Sequence, residues 1–418
     1  RSLMEYLNIT LILGLAMAAG LLSTRLMRLL NLPNVTGYLV IGLLLGPFIG
    51  RLFSTEAIEH FSIISDIALG FIAFSIGCEF KISSLIKIGK KVVIITIFQA
   101  LMTAIVVTIA IFAFTQNVAL ALTLGAIATA TAPAATLMVV RQYKAKGPIV
   151  DTLLPVVAFD DAIGLIIFSI LLAISKVVAT NSGLSFEALV LAPLIEILLS
   201  LAIGAALGAL LALVMRFFKS RANRLSLMIA TVFLGVGVTA LFAAFDWYSL
   251  SPLLLCMMIG AVFANMRRDS NLVIEGVDRW TPPLFMFFFI LSGAELNLSV
   301  IVSVGVIGVI YIVARSIGKY SGAYLGALST KSEKSIRNYL GLALLPQAGV
   351  AIGMAKVVSD EMPDEIATKI VTVVLCSVLF FELIGPVITK IALMRAGEII
   401  KEPKKPKKLP LPPPSSST

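Results

Sequence analysis

The chain is divided at short, regular intervals into apolar runs long enough to cross a lipid bilayer. They fall at residues 3–28, 35–50, 61–79, 92–114, 118–140, 151–175, 188–216, 223–245, 250–266, 281–297, 300–328, 337–357 and 365–395. A hydrocarbon core about 30 Å thick needs about 20 apolar residues in helical form. Backbone polar groups inside it must find their partners within the segment, which favours helix. The pattern therefore predicts an all-α polytopic membrane protein with about thirteen transmembrane helices. Only 13% of the residues are charged, against about 25% in soluble globular chains. The first run begins near Leu3 and reads as a span rather than a cleavable signal.

Lysine and arginine alternate sides. One set of loops, from Arg25 and Arg28 through Lys219, Arg221, Arg279 and Lys334 to the tail, collects 26 of the 33 cationic residues. The opposite loops hold Arg1, Arg51, Lys176, Lys356 and Lys369. By the positive-inside rule the N-terminus lies outside and the C-terminus in the cytoplasm, the expected setting being a prokaryotic cytoplasmic membrane. The net charge of +10 is thus accounted for without a nucleic-acid partner. Residues 398–418, rich in Lys, Pro and Ser, predict a disordered basic tail. The lone His60 and the scattered Cys78, Cys256 and Cys376 have no metal-site spacing, and no cofactor motif is present.

The chain also repeats. Gly37–Gly46 resembles Ser251–Gly260, Gly77-Cys78-Glu79 resembles Gly293-Ala294-Glu295, and Thr131-Ala132-Pro133 answers Leu345-Pro346-Gln347, at offsets of 214, 216 and 213 residues. Each offset spans seven runs, an odd number, so the two copies must run in opposite directions. Inverted repeats with interrupted helices are characteristic of secondary transporters. Pro133 and Pro346 sit at matching places in the fifth and twelfth runs and predict broken crossings there, since proline removes a backbone donor.

Within this apolar background the charges stand out. Asp160 and Asp161 lie side by side near the middle of the sixth run. One aspartate at that depth costs roughly 2.5–3.5 kcal/mol on insertion scales and marks a functional site unless shown otherwise. In the eleventh run Arg315 and Lys319 are four residues apart and share a helix face, among small residues that let another helix approach. Arginine stays charged, whereas a buried lysine can give up its proton, so Lys319 is the better switch and Arg315 the better permanent counter-charge. Glu382, deep in the last run, reads as a scaffold partner of Arg315 or a proton relay.

The Asp160-Asp161 pair, the segment Gly318-Lys319-Tyr320-Ser321-Gly322-Ala323 and the Thr131–Thr136 break resemble those of the monovalent cation:proton antiporters, in particular the NapA-like sodium/proton branch. The resemblance covers the chain to about Arg395. It implies an NhaA/NapA-like fold in which Asp161 carries cation and proton, Asp160 partners Lys319, and Thr131 neighbours the ion. Sodium would then bind through Asp161 and Thr131. It further implies a homodimer, with a dimerisation domain from residues 1–91 and 223–299. A core domain from 92–176 and 300–397 would move against it like an elevator, and 177–222 would be a linker. The branch often carries Pro-Arg-Gly-Glu where this chain has Pro346-Gln347-Ala348-Gly349, so the acidic residue is absent. The function expected is antiport of a monovalent cation, sodium foremost, against protons; potassium/proton exchange is the alternative. A sodium-coupled organic-anion transporter and an ion channel are the further rivals, and no nucleophile–base pair or phosphate loop supports an enzyme.

Overall fold

The computed structural model describes residues 9–30, 34–54, 58, 60–83, 89–132, 136, 139–140, 143–179, 191–245, 250–267, 269–295, 298–347 and 349–399. The described residues form fifteen α-helices and one short 3-10 turn. In chain order they are α1 (Ile9–Leu30), α2 (Asn34–Leu45), α3 (Ser62–Glu79), α4 (Lys90–Thr115) and α5 (Val118–Ile127). Then come α6 (Pro148–Ala179), α7 (Ala192–Val214), α8 (Arg221–Ala244), α9 (Pro252–Met266) and α10 (Ser270–Trp280). The last five are α11 (Pro282–Ala294), α12 (Leu298–Ser329), α13 (Lys334–Ala343), α14 (Gly349–Glu361) and α15 (Asp364–Arg395). Six of them, α1, α4, α6, α7, α8 and α15, are long and apolar enough to cross a membrane. The tail from residue 400 and Pro133 lie outside the described residues.

Two of the apolar runs are not continuous helices. The fifth leaves helical geometry after Ile127, and residues 130–132 are irregular. The twelfth divides into α13 and α14, with residues 345–347 unwound around Pro346. An element absent from the run pattern is α10. Its eleven residues mix Leu272, Val273, Val277 and Trp280 with Asn271, Glu275, Asp278 and Arg279, a two-faced composition too short to span.

Close helix crossings are made by glycine. Along α12, Gly318, Gly322 and Gly326 face α4; a Cβ on them would come within 2.7 Å of Thr103 Cα, 2.6 Å of Gln99 Cα and 2.8 Å of Ile95 Cα. With no side chains in the way the two backbones meet directly, and α4–α12 is the most extensive helix contact in the described molecule. That closeness brings Lys319 of α12 against Gln99 of α4. Elsewhere α2 packs on α11 and α3 on α9, while α5, α6, α13 and α15 gather around the α4–α12 pair and α14 packs on α15.

Candidate ion site at the two broken helices

The site is built from what broken helices leave behind. A helix that stops inside a membrane has carbonyls with no intrahelical donor and a negative dipole end. Both α5 and α13 end this way, and they end against each other. Ala132 N donates to Pro346 O at 2.9 Å, so one break satisfies the other. Arg315 of α12 closes the remaining gap. Its Nε donates to Ala128 O (3.0 Å), its Nη2 to Ala130 O (2.7 Å) and its Nη1 to Leu345 O (2.6 Å). The guanidinium also stacks over Phe381, 4.5 Å from the ring centroid, and is fully buried. Gln347 donates to Ile127 O (3.1 Å) and to the Tyr311 hydroxyl (3.0 Å), and accepts from Ser377 (2.9 Å).

One helical turn on, Lys319 is equally buried but differently held. Its three N–H groups are shared among four acceptors: Asp160 Oδ2 at 2.8 Å, Gln99 Oε1 at 2.7 Å, Thr131 Oγ1 at 2.8 Å and Thr129 O at 2.5 Å. Asp160 in turn accepts from Gln99 Nε2 on one oxygen and from Thr131 Oγ1 and Lys319 on the other. Asp160 is 0% exposed and its neighbour Asp161 5%. Gly164, one turn along α6, allows the first break to lie against this helix: a Cβ there would be 2.9 Å from Thr129 Oγ1.

Of the residues singled out from sequence, Asp160, Lys319 and Thr131 are thus brought into direct contact, with Asp161 next to them. Arg315 stands beside them as a counter-charge to helix ends. Its partners correct one expectation, because the guanidinium bonds carbonyls and not Glu382. Glu382 instead accepts a 3.1 Å hydrogen bond from Thr36 of α2, both side chains being buried. Gln99 was not anticipated. An amide within the apolar stretch Ile97-Phe98-Gln99-Ala100-Leu101 is the signal that identifies it, since a buried amide needs partners. Among the described residues there is no group of three or more His, Cys, Asp or Glu able to hold a resident metal ion.

Comparisons with known proteins agree with this architecture. The model of the family described as "Sodium/hydrogen exchanger, transmembrane" matches residues 13–394. A sodium/proton antiporter of Methanocaldococcus jannaschii is 25% identical over 387 residues, covering 86% of this chain and 87% of the relative. The ammonium/proton antiporter subunit AmhT of Alkalihalophilus pseudofirmus is 22% identical over 400 residues, covering 95% and 98%. Among solved structures, the M. jannaschii sodium/proton antiporter at pH 8 superposes with a TM-score of 0.75 at 21% identity, over 93% of this chain and 98% of that one.

Proposed function

Because the chain belongs to the transmembrane sodium/hydrogen exchanger family, whose relatives are antiporters and not enzymes, we propose that it exchanges sodium for protons with Asp161 as the carrier. The observation that carries this reading is the saturation of Asp160. Three donors, Gln99 of α4, Lys319 of α12 and Thr131 of the first break, occupy both of its oxygens, so its charge is tied to Lys319. The adjacent Asp161 is then the carboxyl that exchanges its cargo. A carboxylate in a cavity takes a proton or a small cation, and the two exclude each other. Sodium prefers oxygen ligands, and Asp161 and Thr131 are the ones we assign to it. Potassium remains the alternative cargo on the same fold.

Thr131 gives the site a coupling device, since its hydroxyl is shared by Asp160 and Lys319. A cation at Asp161 that draws on this oxygen weakens the hold on Lys319, which then gives up a proton of its own. Exchange of more than one proton per cation moves net charge, and each charge is worth about 2.3 kcal/mol per 100 mV of potential. In this reading α4–α6 and α12–α15 form a core that slides against α1–α3 and α8–α11, with α7 as linker and the latter set forming a dimer. The exchanged pairing of α2 with α11 and of α9 with α3 is what an inverted repeat generates, and it supports that division.

The test is cation-driven proton movement in proteoliposomes, across sodium, lithium, potassium and ammonium. Asp161→Asn is expected to bring the signal to the level of empty vesicles while its thermal melting in detergent stays within a few degrees of wild type. Undiminished exchange in that variant refutes the carrier assignment. A potassium response exceeding that to sodium moves the cargo to the alternative.

A further inference from the structure

A cavity that shares no lining residue with the aspartate site lies among the Lys/Arg-rich loops. It opens between the start of α8 and the two-faced helix α10 and measures about 670 Å³. Lys219, Arg221, Arg224 and Arg279 line it, with Glu275 as the acid in its wall. Arg224 is already committed: its Nε donates to Phe218 O (2.8 Å) and its Nη1 to Asp269 (3.0 Å). For Lys219, Arg221 and Arg279 no ion pair or side-chain hydrogen bond exists among the described residues.

The local electrostatics are the reverse of what a helix start requires. The N-terminal end of a helix carries a partial positive charge and favours anions. Here α8 begins with Arg221 and Arg224, has no acidic residue in its first turn, and is preceded by Ser220, whose hydroxyl does not cap it. Three cations without an ion pair, against the single acid Glu275, surround the positive end of a 24-residue helix and leave a net demand for an anion.

The rest of the cavity is apolar. Leu225, Leu272 and Trp280 contribute to its wall. Leu272 is 67% exposed, Trp280 37%, and nearby Phe217, in the turn leading to α8, 83%. Tryptophan and leucine exposed on a two-faced helix are groups that sit at the headgroup level of a bilayer. A small soluble anion would use the cations and leave these side chains in water. A molecule with an anionic head and a hydrocarbon body uses both.

We propose that this cavity binds an anionic phospholipid, its phosphate among Lys219, Arg221 and Arg279 and its chains over Leu272 and Trp280. The shared chemistry is a phosphate, which could also come from a soluble ion, and the experiment separates the sources. The full chain is purified in detergent and examined by native mass spectrometry and thermal melting with phosphatidylglycerol, with phosphatidylcholine of the same acyl chains, and with glycerol 3-phosphate.

The expected result is selective retention of phosphatidylglycerol and a rise in melting temperature of about 3–5 °C, with no effect of the other two. The double variant R221Q/R279Q loses retention by about thirtyfold, as expected for two surface cations. The control R25Q/R28Q, which removes two exposed arginines of α1 on the same face, retains lipid like wild type. Equal effects of the two lipids, selectivity surviving in R221Q/R279Q, loss in R25Q/R28Q, or an equal shift from glycerol 3-phosphate would each overturn the proposal. Sodium/proton exchange by R221Q/R279Q provides a readout independent of the lipid result.

Discussion

Arg315 and Lys319 sit one turn apart on the same helix, both wholly buried, yet they are held by opposite strategies. The arginine faces backbone carbonyls at the ends of two half-helices. The lysine faces a carboxylate, with an amide and two threonines completing its shell. A group that never loses its charge is matched to partial charges that never change. A group able to release a proton is matched to another that can accept one. In the proposed mechanism the comparison separates a permanent brace from a responsive centre within about one helical turn.

That distinction can be broken experimentally, and Arg315 should give the largest effect. Arg315→Ala removes three charge-assisted bonds, each worth about 1.5–3 kcal/mol, and leaves buried carbonyls unsatisfied at both breaks. We expect loss of the folded protein, or a melting temperature lowered by more than 10 °C, with Arg315→Lys recovering only part because one ammonium cannot reach the three carbonyls in the same planar fork. A mild effect of the alanine variant would remove the brace from the picture.

Lys319→Gln is next. Breaking one side of a buried pair costs about 3–5 kcal/mol, whereas removing both charges costs much less. The double variant Lys319→Gln/Asp160→Asn is therefore expected to melt above Lys319→Gln alone, which a thermal double-mutant cycle measures. Transport by Lys319→Gln should lose its dependence on membrane potential, and unchanged voltage dependence would exclude the lysine as a second proton donor.

The smallest effect lies outside the membrane. Arg267 bonds Asp269 at 2.7 and 2.8 Å, and together with Arg224 it holds this carboxyl below the usual aspartate range. A lowered folded-state value contributes stability above the unfolded value and loses it as pH falls through the folded one. The pair is partly exposed, so Asp269→Asn should cost about 1 kcal/mol or less near neutrality. It should also flatten the acid limb of the melting profile.

The degree to which sequence foretold these arrangements follows from the physics. Asp160, Asp161, Lys319 and the break at Pro346 were legible because charge and proline are costly in an apolar run and leave few interpretations. Gln99 was hidden because its role depends on how closely α4 meets α12, which is set by glycines more than two hundred residues away. Pairing Arg315 with Glu382 followed the arithmetic of formal charges, which does not count carbonyl dipoles. Helix α10 escaped because a search for uniformly apolar lengths passes over a segment with two unlike faces.

The hydrogen bond from Ala132 to Pro346 joins two strands of irregular backbone coming from opposite halves of the chain. Ala132 supplies the donor and Pro346 the acceptor, so each break meets a backbone need left by the other. The two interruptions are thus fastened to each other, and a lesion in one half of the gene should be felt in the geometry encoded by the other.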